Sequence, residues 1–364
     1  MDISFNKLLK NFILTVVVVL LICIVTVIVI DPFFHYHKPL PGLKAVLTDK
    51  EYQCIGTIKN FDYDALIVGS SVCENYNNHW FDEKFDCKSI KAVRSYGATA
   101  DLCNFIDEAY KDHDLKYVFY NIDPTSLAAK PYLTFEETGC PMYLYDSNPL
   151  NDIEYLLNKD VLIEKIPYMI TKSFIGDYDE GNSFNWGQWK EFHADMVTGL
   201  YIRSHSVKEM KDKDFYEEEC SANIEMIETI VSKHPETKFY FFYPPYSFVW
   251  WDGVYRDGDL NAYINNMKNC TSCLKAYENV EFYNFITDEE VVTDLDNYMD
   301  VLHFSPDINQ RIVEKLGSDE YVIDSDHIAD MADDMYSFAM RVQDELIVPY
   351  VDIIKVQPSE DEDS

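Results

Sequence analysis

The chain has 364 residues, with 64 acidic against 30 basic side chains, a formal charge of −34 and a hydrophobic share of 47%. A surface of that sign repels phosphate backbones, which argues against nucleic acid as a partner, while the length suits one large or two ordinary domains and the apolar share a substantial core. The 15% aromatic content, with 27 Tyr and 22 Phe, suits carbohydrate-facing clefts and ordinary cores alike.

From Phe12 to Ile30 the chain carries no charge. At about 1.5 Å per residue such a helix covers about 28 Å, close to the hydrocarbon thickness of a bilayer. Lys7 and Lys10 precede it and Asp31-Pro32 follow, so the positive-inside rule puts the N-terminus in the cytoplasm and the rest outside. The flank Asp31-Pro32-Phe33-Phe34 lacks the small residues of a cleavage site, which favours an uncleaved single-pass anchor in the cell membrane. The expected division is therefore a cytoplasmic end and anchor over 1–31, then a membrane-proximal connector over 32–60 with Pro39 and Pro41. His35-Tyr-His37, just beyond the span, reads as interfacial anchoring rather than metal binding.

The run Asp64 to Ser71 is short, apolar and ends in small residues, the pattern of a strand buried on both faces of a parallel sheet. Runs of the same kind recur over 88–93, 116–122, 238–243 and 280–285, with helical patterns between them over 102–110 and 217–232. Val72 to Phe81 also looks helical. This alternation predicts an α/β domain over 61–325: a doubly wound, flavodoxin-like parallel sheet with helices on both faces. The alternation breaks over about 126–205, a long aromatic-rich stretch. It is either a lid or substrate-binding insertion, or a helical excursion on the sheet edge. A last amphipathic helix is expected over about 326–345, before an acidic tail with Glu360 to Asp363.

Nine cysteines are present. Cys23 lies in the span, and the rest, an even number, permit disulfides of unreadable connectivity. Cys270-Thr-Ser-Cys273 is a lone pair without the second pair a zinc ribbon needs. It is expected to be a local disulfide or two unpaired thiols.

Ligands of doubly wound sheets bind outside the carboxyl ends of the strands, which directs attention to Gly69-Ser70-Ser71. A serine there faces the start of a helix, where N–H groups favour a developing oxyanion. The competing reading is a capping box formed by Ser71 and Glu74. Near the C-terminus stands Asp300-Val-Leu-His303-Phe304-Ser305-Pro306. An aspartate three residues before a histidine can hold its tautomer while the far ring nitrogen takes a serine proton. Ser305 and Pro306 then open a helix. Tyr243-Pro-Pro-Tyr246, followed by Phe248, Trp250 and Trp251, is either an aromatic platform for sugar or a rigid turn packed in the core.

These residues resemble the SGNH (GDSL-like) hydrolase superfamily: Gly69, Ser70 and Ser71 match its first block, and Asp300 and His303 its last. The resemblance implies Ser71 as nucleophile, His303 as general base and Asp300 as its orienting partner. It also implies an oxyanion hole from Gly97, in Ser95-Tyr-Gly-Ala-Thr99, and from Asn121, although Tyr120-Asn-Ile-Asp123-Pro124 departs from the family's Gly-x-Asn-Asp block. An anchored domain of this kind looks like a membrane-anchored subset that includes the D-alanine-transfer protein of teichoic acid modification and exopolysaccharide O-acetyltransferases. The activity implied is that of an esterase or O-acyltransferase, with cell-surface polysaccharide or teichoic acid as substrate and a membrane-bound O-acyltransferase as companion. Neither metal nor organic cofactor is implied. The rival expectation is an inactive member serving as a binding or assembly subunit. A lipase-like role on membrane lipids is a third.

Overall fold

The computed structural model describes residues 2–356, and the acidic stretch Glu360 to Asp363 lies outside them. The chain divides into two compact units, one of Met1–Asp62 with Phe135–Ser183, the other of Tyr63–Thr134 with Phe184–Ser364.

The first unit begins with helix Asp2–Ile30, of which Phe5–Ile30 is long and apolar enough to cross a membrane. The helix ends where Asp31 and Phe34 take left-handed backbone angles, φ 47° and 57°. The Asp31 carboxylate then accepts the backbone N–H of His35 (3.1 Å), Tyr36 (2.7 Å) and His37 (2.9 Å), and the hydroxyl of Tyr155 (2.8 Å). The His-Tyr-His segment is thus a tight wrap around one buried carboxylate. The connector folds as well: it contains helix Lys50–Asn60, and Phe34, Ala45 and Val46 form a small core with Met169.

The second unit is an α/β fold around five parallel strands: β1 Ala65–Gly69, β2 Ser89–Val93, β3 Tyr117–Asn121, β4 Lys238–Tyr243 and β5 Val280–Asn284. Their order is β2-β1-β3-β4-β5. β1 and β2 are buried throughout, as continuous apolar runs covered on both faces must be. Lys91 in β2 is accommodated because its ammonium donates to the Glu74 carbonyl at 2.7 Å. Aromatic side chains stack across the middle strands, Phe119 on Tyr240 at 5.2 Å and Phe241 on Phe282 at 6.0 Å. Helices flank the sheet: Glu217–Lys233 packs on Thr99–Ala109 and on Leu260–Leu274, and Asn78–Phe85 packs on Pro306–Lys315. The C-terminal helix Ile328–Arg341 lies against Leu260–Leu274.

Two expectations change. The aromatic stretch 126–205 is divided, since Phe135–Ser183 groups with the N-terminal segment while the residues on either side stay with the sheet. The helix expected over 72–81 is broken into a 3-10 turn, Ser71–Cys73, and helix Asn78–Phe85. The break follows from Asn77, whose side chain caps the second helix by accepting the His79 N–H at 2.9 Å.

Candidate active site

Parallel strands bring all their carboxyl ends to one edge, where β1 hands over to Ser70 and Ser71. Gly69 is needed there: a Cβ on it would stand 2.4 Å from the Cys73 sulfur and 3.1 Å from the Asn121 Cβ. The chain can therefore turn sharply over β3 and present Ser71 half-buried at the edge. Its hydroxyl lies 2.8 Å from Nε2 of His303, across 232 positions of sequence. Nδ1 of His303 lies 2.7 Å from Oδ2 of Asp300, and Oδ1 of Asp300 accepts the backbone N–H of His303 (2.8 Å) and Leu302 (2.9 Å). Burial pulls the Asp300 carboxyl upward, but the bond and charge of His303 and the two N–H groups outweigh it and hold it below the ordinary value. The capping box does not form, because Ser71 turns to the imidazole while Glu74 accepts the Ser95 hydroxyl at 2.8 Å.

The loop carrying Asp300 and His303 is closed by an antiparallel bridge between Tyr298 and Phe304. It is fastened to the end of β4: Ser247 donates its hydroxyl to the Val301 carbonyl at 2.9 Å, and the Tyr298 hydroxyl reaches the Pro245 carbonyl at 2.7 Å. Pro306 opens the following helix as expected, with Ile308, Ile312 and Val313 buried. The Tyr-Pro-Pro-Tyr turn is packed rather than displayed, since Tyr243, Tyr246, Phe248, Trp250 and Trp251 are all buried. Of these, Tyr246 reaches the cleft.

Each of the two expected oxyanion donors has an N–H that is already engaged. Gly97 lines the cleft, but its N–H closes a turn on the Arg94 carbonyl at 3.0 Å and is already engaged. Asn121, the last residue of β3, is wholly buried, and one N–H of its amide donates to Asp123 Oδ1 at 3.2 Å. Asp123, which sequence reasoning passed over, is the acceptor of that N–H. It lines the cleft with Ser70, Ser71 and His303 and accepts the Tyr246 hydroxyl. Burial pushes its carboxyl above the usual value, against the opposing effects of Ser70, Tyr246, the charge of His303, and Asn121. The departure of Tyr120-Asn-Ile-Asp123 from the expected block was the signal available for it.

Trp186 was also hidden in the sequence, one aromatic among many. Its indole stands edge-on to the His303 ring, centroids 5.2 Å apart at 83°. The cleft has a volume of about 420 Å³, and exposed Tyr96, Lys130 and Tyr132 line it as well. Among the described residues no cluster of three or more His, Cys, Asp or Glu is placed to hold a metal ion, and all nine cysteines are free thiols.

No family model and no curated protein matches the sequence. Among solved structures, "The structure of a putative platelet activating factor from Streptococcus pneumonia" is similar at 11% identity, covering 72% of this chain and 87% of that one with a TM-score of 0.37. The functional reading therefore rests on the geometry of the cleft.

Proposed function

We propose that this chain is a membrane-anchored serine esterase or O-acyltransferase of the SGNH type, with Ser71, His303 and Asp300 as its catalytic residues. The observation that carries the reading is the unbroken relay from Ser71 through both nitrogens of His303 to Asp300, at 2.8 and 2.7 Å. The strand order, read along the sheet as 2-1-3-4-5, supports a doubly wound, flavodoxin-like arrangement, as does the grouping of helices into two packed sets. Lys7 and Lys10 support a cytoplasmic N-terminus and an external cleft.

In this reading the Ser71 oxygen forms a bond to an ester carbonyl carbon while His303 Nε2 takes the hydroxyl proton. The resulting imidazolium is stabilised by Asp300, which the backbone N–H groups of residues 302 and 303 keep in place. His303 returns the proton to the departing alkoxide as the ester C–O bond breaks. Water, or a hydroxyl of a cell-surface polysaccharide or teichoic acid, then attacks the acyl-enzyme and gives its proton to His303, which passes it to the Ser71 oxygen as the bond between that oxygen and the acyl carbon breaks. The Ser71 N–H, at the start of its 3-10 turn, is a donor for the oxyanion, since opening N–H groups have no intrahelical acceptor. Asp123 contributes only as a neutral acid, because its anion would repel the charge that develops beside it.

The commitment of Gly97 and Asn121 elsewhere favours a second reading, a non-catalytic binding or assembly subunit on the same fold. Labelling by a fluorophosphonate probe separates the two. The enzyme reading requires labelling in the wild type and its loss in Ser71→Ala. A wild type that stays unlabelled supports the subunit, and labelling that survives Ser71→Ala removes the nucleophile.

A further inference from the structure

Residues 161–174 form a π-turn, Val161–Lys165, running straight into helix Ile166–Phe174. One face of this segment packs inward through Val161, Ile166 and Met169. The face left open is also apolar: Ile163 is 70% exposed, Phe174 70% and Ile175 69%, joined by Ile170, Pro167 and Tyr168. Glu164 and Thr171 are its polar members. A surface helix of a water-soluble domain keeps a polar outer face, and a helix apolar all round belongs in a core or in lipid.

Its surroundings say which. Met169 packs in the small core with Phe34, and Ile30, the last residue of the N-terminal helix, packs against the same core. Ser173 accepts the Lys44 N–H at 2.9 Å, and Tyr155 stacks on Phe33 at 5.1 Å. The turn Ile153–Leu156 and the π-turn both lie against the N-terminal helix itself. On that helix Val27 is fully buried, and Cys23, Ile24 and Thr26 are less exposed than the residues before them. Cys23 is about 10 Å along the axis from Ile30. The covering elements therefore stand beside the last turns of the apolar helix. Lys172 lies over the Tyr168 ring at 5.5 Å, an aromatic–basic pairing suited to the headgroup level.

We propose that the open face of residues 163–175 is buried in the leaflet from which the N-terminal helix emerges, so that the protein holds the membrane by a span and an interfacial helix together. This rests on the reading of Phe5–Ile30 as a span. The occupant of the face is lipid, by continuity with the lipid-facing flank of the span.

Photocrosslinking of the full-length protein in phosphatidylcholine–phosphatidylglycerol vesicles tests it, with p-benzoylphenylalanine in place of Phe174 or, separately, Ile163. The same probe at Val18 reports the span, and at Tyr336, an exposed residue of helix Ile328–Arg341, the background. Phospholipid adducts at Val18, Phe174 and Ile163 but not at Tyr336 are expected. Adducts at Val18 alone overturn the interfacial helix and leave the span standing, as does protein-only crosslinking at Phe174 and Ile163. Absence of adduct at Val18 removes the span and the proposal together.

Discussion

Trp186 stands edge-on to His303, ring centroids 5.2 Å apart, although the two lie far apart in sequence and on different segments of the second unit. The contact limits the directions in which the imidazole can swing while it faces Ser71. Truncation to Trp186→Ala is expected to lower kcat toward a chromogenic ester by up to about 10²-fold, the cost of a small misplacement of a reacting group. KM should change little. A rise in KM at constant kcat would assign Trp186 to substrate binding instead.

Asn75 is what holds that tryptophan. Its side-chain oxygen accepts the backbone N–H of Trp186 at 3.2 Å and of Gly187 at 2.8 Å. A Cβ on Gly187 would come within 3.0 Å of the Asn75 amide, so glycine permits the approach. Asn75→Ala strands two backbone donors and should cost about 1–3 kcal/mol in urea unfolding. Unchanged stability would mean that water replaces the oxygen.

For Asp300 the sign of the pH effect follows from a carboxyl held below its ordinary value in the folded chain. A depressed folded value means that the unfolded chain binds more protons in acid. The stabilisation is then complete above the unfolded value of about 3.9 and is lost as pH falls through the folded one. The wild type should therefore unfold at a higher temperature than Asp300→Asn at neutral pH, with the gap closing in acid. A gap that persists unchanged in acid contradicts the ion pair. The same substitution should depress kcat by up to about 10⁴-fold, as expected when the histidine tautomer is lost.

Asp123 gives the opposite sign. Burial raises its value, so it retains a proton where an exposed aspartate has lost it. Among the groups that interact with it are Ser70, Tyr246, His303, Asn121, Cys73, Tyr76 and Tyr120. As pH rises through the raised value, a negative carboxylate appears beside the developing oxyanion, and kcat/KM should fall. Asp123→Asn cannot ionise and should lose that decline. Superimposable pH profiles for the two proteins would remove Asp123 from the chemistry.

Those features that depend on a few consecutive residues were legible in the sequence. The charge-free run to Ile30 could only be a long apolar helix. The five apolar runs became the five strands within a residue or two at each end, because burial on both faces demands an unbroken apolar register. The Asp300-x-x-His303 pairing was equally local. Tertiary structure alone decided the rest. It brought Ser71 to His303 over 232 positions, turned the Gly97 N–H toward Arg94, and gave Asn121 to Asp123. It also joined Phe135–Ser183 to the N-terminal unit and set Trp186 against the imidazole. Each of these depends on which of several chemically equal partners packing brings into contact, and no local pattern of residues encodes that distance.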